Sequence, residues 1–167
     1  QINTRQMDRY REIEVKLAEK HGAVAKGTRK SIGDFLLNND PQKPVNVKST
    51  NLANNNYSPN IISAMRLIKW LKQDGNELYF IFVDYNVTKA GLEIVKDSGI
   101  VAVHNISWNC LTIEAQGWGV IQMCKPLEVD LKQDLKGFLK GMKNAYEIYM
   151  RKEAKKVEII KEMIKDF

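Results

Sequence analysis

Six consecutive apolar residues, Leu78-Tyr79-Phe80-Ile81-Phe82-Val83, stop abruptly at Asp84. A run that is apolar at every position, rather than at every second one, fits a strand covered on both faces. It is far too short for a membrane helix, which needs ~18–20 residues, and no other segment comes nearer, so no membrane span is expected. The rest of the chain must then supply layers to cover a central buried strand. The 167 residues read as one domain, with a composition (44% apolar, 28% charged) that excludes collagen-like and disordered chains. Cys110 and Cys124 make no disulfide framework and read as thiols in or near the core. With polar residues from Gln1 to Tyr10 showing no secretory signal, the expected location is cytoplasmic.

The remaining segments point to an α/β class, a mixed sheet flanked by helices. Tyr10, Ile13 and Leu17 place one apolar stripe on a helix over about Arg5 to Lys20, closed by His21-Gly22. Asp34–Leu37 and Pro44–Lys48 flank the turn-like Asn38-Asn39-Asp40-Pro41-Gln42-Lys43 and predict an antiparallel hairpin. A helix is expected to open near Pro59, capped by Ser58, with Ile61, Met65, Ile68 and Leu71 in period. Ala90–Lys96 reads as a short helix, and Val101–Val103 and Gly119–Met123 as strands. A long helical region follows over about Leu127 to Phe167, striped by Leu131, Leu135, Phe138, Met142, Tyr146 and Tyr149. Gly137 and Gly141 weaken that helix and mark close packing or a break.

Chemistry concentrates around the predicted hairpin. Side chains alternate along a strand, so Asn46 and Lys48 share one side while Val45 and Val47 face the core. An Asp34 on the neighbouring strand brings a carboxylate towards positions 46 and 48. Two acids and a lysine in such an array suit a metal-dependent phosphodiesterase: carboxylate oxygens take a hard Mg²⁺ ion, and the ammonium holds water and phosphate. Position 46 departs from this, because an amide offers an oxygen but no charge and cannot act as a base.

Pro44 to Ser63 reads Pro-Val-Asn-Val-Lys-Ser-Thr-Asn-Leu-Ala-Asn-Asn-Asn-Tyr-Ser-Pro-Asn-Ile-Ile-Ser, preceded by Gly33-Asp34-Phe35-Leu36-Leu37. This resembles the catalytic strand and following helix of type II restriction endonucleases of the PD-(D/E)xK superfamily, in the HincII branch related in fold to EcoRV. The resemblance implies a restriction-endonuclease-like fold over residues 1–167. It implies Mg²⁺-dependent, sequence-specific cleavage of double-stranded DNA by a homodimer. It makes Asp34 the first metal-binding carboxylate, puts Asn46 where the second acid stands, and makes Lys48 the catalytic lysine. It also places Glu14, on the first helix, as a further carboxylate near the metal. The motif around Asn46 is otherwise intact, which points to an asparagine standing in for an aspartate. Metal ligation would then fall to Asp34 and Asn46.

The charge balance of 26 basic and 20 acidic residues, net +6 with pI near 9.2, permits nucleic-acid binding without establishing it. The loop after the lysine carries Ser49, Thr50, Asn51, Asn54, Asn55, Asn56 and Tyr57, groups able to pair with adenine edges or phosphates. Asn60 of the Pro-Asn-Ile-Ile-Ser motif resembles a DNA-facing position. Lys26, Arg29 and Lys30 are placed to clamp the backbone, and His104-Asn105 with Trp108-Asn109 to reach bases from a second loop. Two rival readings are a silent DNA-binding protein of the same fold, favoured by Asn46, and a helical interaction module built on the C-terminal helix.

Overall fold

A computed structural model of the chain describes residues 4–23, 31–54, 59–165 and 167. Among these the protein is mixed α/β, with three α-helices and eight strands. It divides into two compact units: Gln1–Pro59 with Met65–Val103, and Asn60–Ala64 with His104–Phe167.

In the first unit, helix α1 (Thr4–Lys20) buries Ile13 and Leu17, as its apolar stripe predicts. Gly22, at φ +67°, ends it in the left-handed conformation, and the Ala23 amide reaches back to the Ala18 carbonyl at 2.8 Å. Strands β1 (Phe35–Leu36) and β2 (Pro44–Asn51) form the expected antiparallel hairpin, with Phe35 opposite Val45. Asn38 and Asn39, at φ 53° and 57°, turn the chain, and the Asp40 carboxylate accepts the Gln42 N–H at 2.9 Å.

The apolar run becomes the predicted central strand β4 (Tyr79–Thr88), and it continues five residues past Val83 by alternation, with Tyr85 fully buried. It pairs parallel with β2, placing Val47 opposite Ile81 and Lys48 opposite Phe82. On its other edge lie β5 (Gly91–Asp97) and β6 (Val101–Ala102), both antiparallel, so the sheet is mixed. Ile13, Leu17, Phe35, Val45, Ile81 and Tyr85 build one hydrophobic core, with Val47, Leu92 and Ile94 packed against it. Each fully buried Leu or Ile contributes about 1.5–3 kcal/mol, so tertiary burial fixes α1 more than helix propensity does. Helix α2 (Ala64–Leu71) covers the expected Met65, Ile68 and Leu71, but these are half-buried and the face it buries fully is Ala64 and Leu67, which the expected stripe left out.

The second unit holds an antiparallel sheet, β3 (Asn60–Ser63), β8 (Val120–Met123) and β7 (Leu111–Glu114), in the order β3-β8-β7. It also holds the long helix α3 (Leu135–Ile164), whose N-cap Asp134 accepts the Gly137 N–H at 2.7 Å.

Several expectations fail for physical reasons. The helix expected from Pro59 begins only at Ala64, because Asn60–Ser63 is β3. A register irregularity between Asn60 and Ile62 lets the adjacent β-branched Ile61 and Ile62 both be buried. The expected helix over Ala90–Lys96 is instead β5, in which Leu92 and Ile94 turn to the core and Glu93 and Val95 to solvent. The helix expected from Leu127 starts eight residues later, and Leu131, counted in its stripe, is 82% exposed. Cys110 is buried as expected, but Cys124 is exposed.

Candidate active site

Asp34 sits one residue before β1. Its backbone N–H donates to the Val45 carbonyl at 2.8 Å, carrying the hairpin ladder one step further. Its carboxylate folds back over β2, where Oδ2 accepts the Val47 N–H at 2.6 Å. Val45 and Val47 join the core on one face of β2, so alternation turns Asn46 and Lys48 to the opposite side. The hairpin therefore brings the aspartate and the lysine-bearing strand segment together by backbone geometry alone.

The charges at this place act on one another. Burial is the largest influence on Asp34 and pushes its carboxyl above the usual carboxylate range, while the Val47 N–H and the Lys48 charge pull it back down. Burial likewise pushes the Lys48 ammonium below its ordinary value. Asp34 and Glu14 hold it up, and Arg66 pushes it further down. Glu14, half-buried on α1, is raised from 4.5 to about 7, first by burial and then by the Asp34 charge, with Arg11 and Lys48 opposing. Two carboxylates and one ammonium thus share a partly desolvated place, the environment in which a carboxyl can exchange protons near neutrality.

Asn46 uses its amide structurally. Nδ2 donates to the Ile32 carbonyl at 3.1 Å, tying the segment before Asp34 to β2. A carboxylate at 46 cannot make that bond, because it has no proton to give.

Among the described residues, no three His, Cys, Asp or Glu side chains gather as a metal-binding group. Mg²⁺ is held by one or two carboxylates with waters and substrate phosphates rather than by an all-protein cage. The oxygen donors carried by these segments are the Glu14 and Asp34 carboxylates and the Asn46 amide oxygen.

Lys26, Arg29, Lys30, Asn55, Asn56 and Tyr57 fall outside the described residues. Ser49, Thr50 and Asn51 complete β2, and the Asn51 side chain accepts the Ala53 N–H at 3.0 Å. Asn60, His104 and Asn105 belong to the second unit. There Asn60 exchanges amide hydrogen bonds with Gln116 and Gln122, and Asn105 donates to the Asp130 and Gln133 carbonyls. Trp108 donates to the Phe138 carbonyl at 2.8 Å, and Asn109 donates to Glu128 at the same distance.

Arg66 is the residue that sequence reasoning passed over. It stands on α2, acts on Lys48, and donates through Nη2 to the Ser31 carbonyl at 2.7 Å. The only sequence signal was a pair of cations, Arg66 and Lys69, spaced i, i+3 on a helix otherwise read for its apolar stripe. No known family matches the chain, and no curated protein matches it.

Proposed function

We propose that this protein is a Mg²⁺-dependent, sequence-specific endonuclease of double-stranded DNA, of the type II restriction class. The reading rests on one observation: the Asp34 carboxylate lies on strand β2, accepting the Val47 N–H at 2.6 Å, next to Lys48 of the Asn-Val-Lys segment. In this reading Asp34 and Glu14, with the Asn46 oxygen, would hold Mg²⁺. The bound ion supplies neutralisation of the charge that develops on the phosphate and the leaving oxygen. Lys48 positions the attacking water and pairs with the phosphate, and its depressed ammonium pKa eases proton exchange with that water. A restriction-endonuclease-like fold and a cytoplasmic setting accompany the proposal.

Cleavage of a palindrome calls for a two-fold homodimer. The outer half of α3, with Met150, Val157, Ile160 and Ile164 on one side of the helix and each more than half exposed, offers an apolar face that supports an oligomer.

One observation favours a second reading, a DNA-binding protein of the same fold that does not cut: Asn46 brings no charge, and its amide is spent on Ile32. Plasmid and oligonucleotide duplexes incubated with the wild-type chain, with Mg²⁺ and with chelator, separate the two. Cleavage by the wild type that is lost in Lys48→Ala and in chelator supports the nuclease. Binding without cleavage, with cleavage appearing in Asn46→Asp, supports the silent form. Neither binding nor cleavage rejects both.

A further inference from the structure

A cleft of about 440 Å³ opens in the first unit beside the segment that leads into Asp34. Its charged wall is Arg66 and Lys69, one helical turn apart and so on the same face of α2. Leu36, Pro41, Pro44 and the side of Trp70 form its apolar walls, and among the described residues no carboxylate lines it. Lys69 is exposed and makes no ion pair among the described residues. The contrast is the shallow groove along α1, where Asp8, Glu12 and Glu19 stand among Arg11 and Lys16 and cancel them. A concave surface carrying two cations and no anion focuses a positive potential and concentrates phosphate-bearing ligands.

The cleft is also registered to the candidate active site by bonds. Arg66 donates to the Ser31 carbonyl at 2.7 Å, and the Ser31 hydroxyl donates to the Gly33 carbonyl at 2.7 Å, one residue before Asp34. Gly33 lets this segment lie flat on β2, since a Cβ there would meet Pro44 Cβ at 2.8 Å and the Val45 carbonyl at 2.9 Å. The guanidinium is therefore anchored to the same short segment that carries the carboxylate.

We propose that Arg66 and Lys69 form a phosphate clamp, holding a DNA backbone phosphate that neighbours the one at Asp34 and Lys48. The clamp rests on the nuclease-fold reading above, in either its cutting or its silent form. It sets the position of the strand without touching the bond that breaks. Its contribution to affinity is electrostatic and independent of sequence.

The test is the salt dependence of binding to a fluorescently labelled mixed-sequence duplex, with Ca²⁺ present, between about 50 and 200 mM salt. Releasing the one clamped phosphate lowers the slope of log K against log salt by about 0.9. Arg66→Gln with Lys69→Gln is expected to show that loss. Lys69→Gln alone, at an exposed position with no ion pair to lose, is expected to show about half of it and guards against misfolding of the double variant. Arg66→Lys with Lys69→Arg keeps both charges and is expected to keep the wild-type slope. Lys152→Gln with Lys155→Gln removes equal charge from α3 and is expected to leave the slope unchanged. A wild type that binds with a slope that neither cleft variant alters overturns the clamp and leaves the nuclease-fold reading standing. An equal fall in the α3 control overturns it as well, by showing only an effect of net charge. A wild type that binds no duplex removes the reading and the clamp together.

Discussion

The two units put their polar residues to different uses. In the second unit the amides and the indole around residues 104–109 are spent on nearby carbonyls and carboxylates: Asn105 on Asp130 and Gln133, Trp108 on Phe138, Asn109 on Glu128. Gln133 adds bonds to the His104 and Ile106 carbonyls at 2.7 and 3.0 Å, so the loop is stitched to the turn that precedes α3. In the first unit Glu14, Asp34 and Lys48 are partly buried as charged groups, and their proton equilibria are displaced as a result. Satisfied hydrogen bonds contribute to stability. Displaced charges cost stability and are the mark of a place where chemistry can be done. The two regions differ in residue type, neutral amides and an indole in one and ionisable groups in the other, and in how burial is compensated.

This contrast can be broken at several points. The largest expected effect is on activity in the first unit. If the protein cuts duplex DNA, Lys48→Ala is expected to lower the Mg²⁺-dependent rate by about 10²–10³-fold, the usual cost of removing one group that stabilises transition-state charge. Single-turnover cleavage measures it, and unchanged thermal unfolding shows that the fold survives.

The next effect belongs to the second unit. Gly141 lies against the Trp108 ring, and a Cβ there would stand 2.2 Å from the ring's Cδ1. Gly141→Ala is therefore expected to destabilise by about 1–3 kcal/mol through overpacking, although alanine is the better helix former. Denaturant unfolding reads the sign directly, since propensity alone would make the variant more stable.

A smaller effect concerns Glu14. Its folded-state pKa of about 7 lies above the ordinary 4.5, so the fold is favoured where the group is protonated. That advantage is fully present below 4.5 and is lost as pH rises through about 7. Glu14→Gln is therefore expected to match the wild type near pH 4 and to exceed it at pH 8. The gain is about 1 kcal/mol once solvent screening of a half-exposed group is allowed for. Melting curves across that range, without metal, measure it.

The smallest effect is at Asn105. Asn105→Ala leaves two carbonyls with one partner fewer and is expected to cost about 1 kcal/mol of stability. Duplex affinity that stays constant while the melting point falls marks this residue as a stitch in the loop and not a DNA contact.

The hairpin and the central strand were legible in the sequence because their signals are local. Turn residues fix one, and an unbroken apolar run fixes the other. Strands β3 and β5 were not, because Ile61-Ile62 and Leu92 with Ile94 fit either period until a partner strand selects one. Gly141 was flagged as a weak point in a helix, and only the Trp108 ring beside it shows that the helix is left open there for packing. Of the site, Asp34 and Lys48 followed from strand alternation and the turn between them. Glu14 came from the family resemblance alone, because nothing in a helix sequence says which strand edge it will face. Arg66 was hidden for the same reason.

The central claim is that Glu14, Asp34 and Lys48 belong to one electrostatic site. It is tested most directly by titrating the Glu14 side-chain carboxyl by ¹³C NMR in the metal-free protein. The account predicts a midpoint at about 7, moving down in Asp34→Asn, where a repelling anion is lost, and up in Lys48→Met, where an attracting cation is lost. A midpoint near 4.5, indifferent to both substitutions, would contradict it.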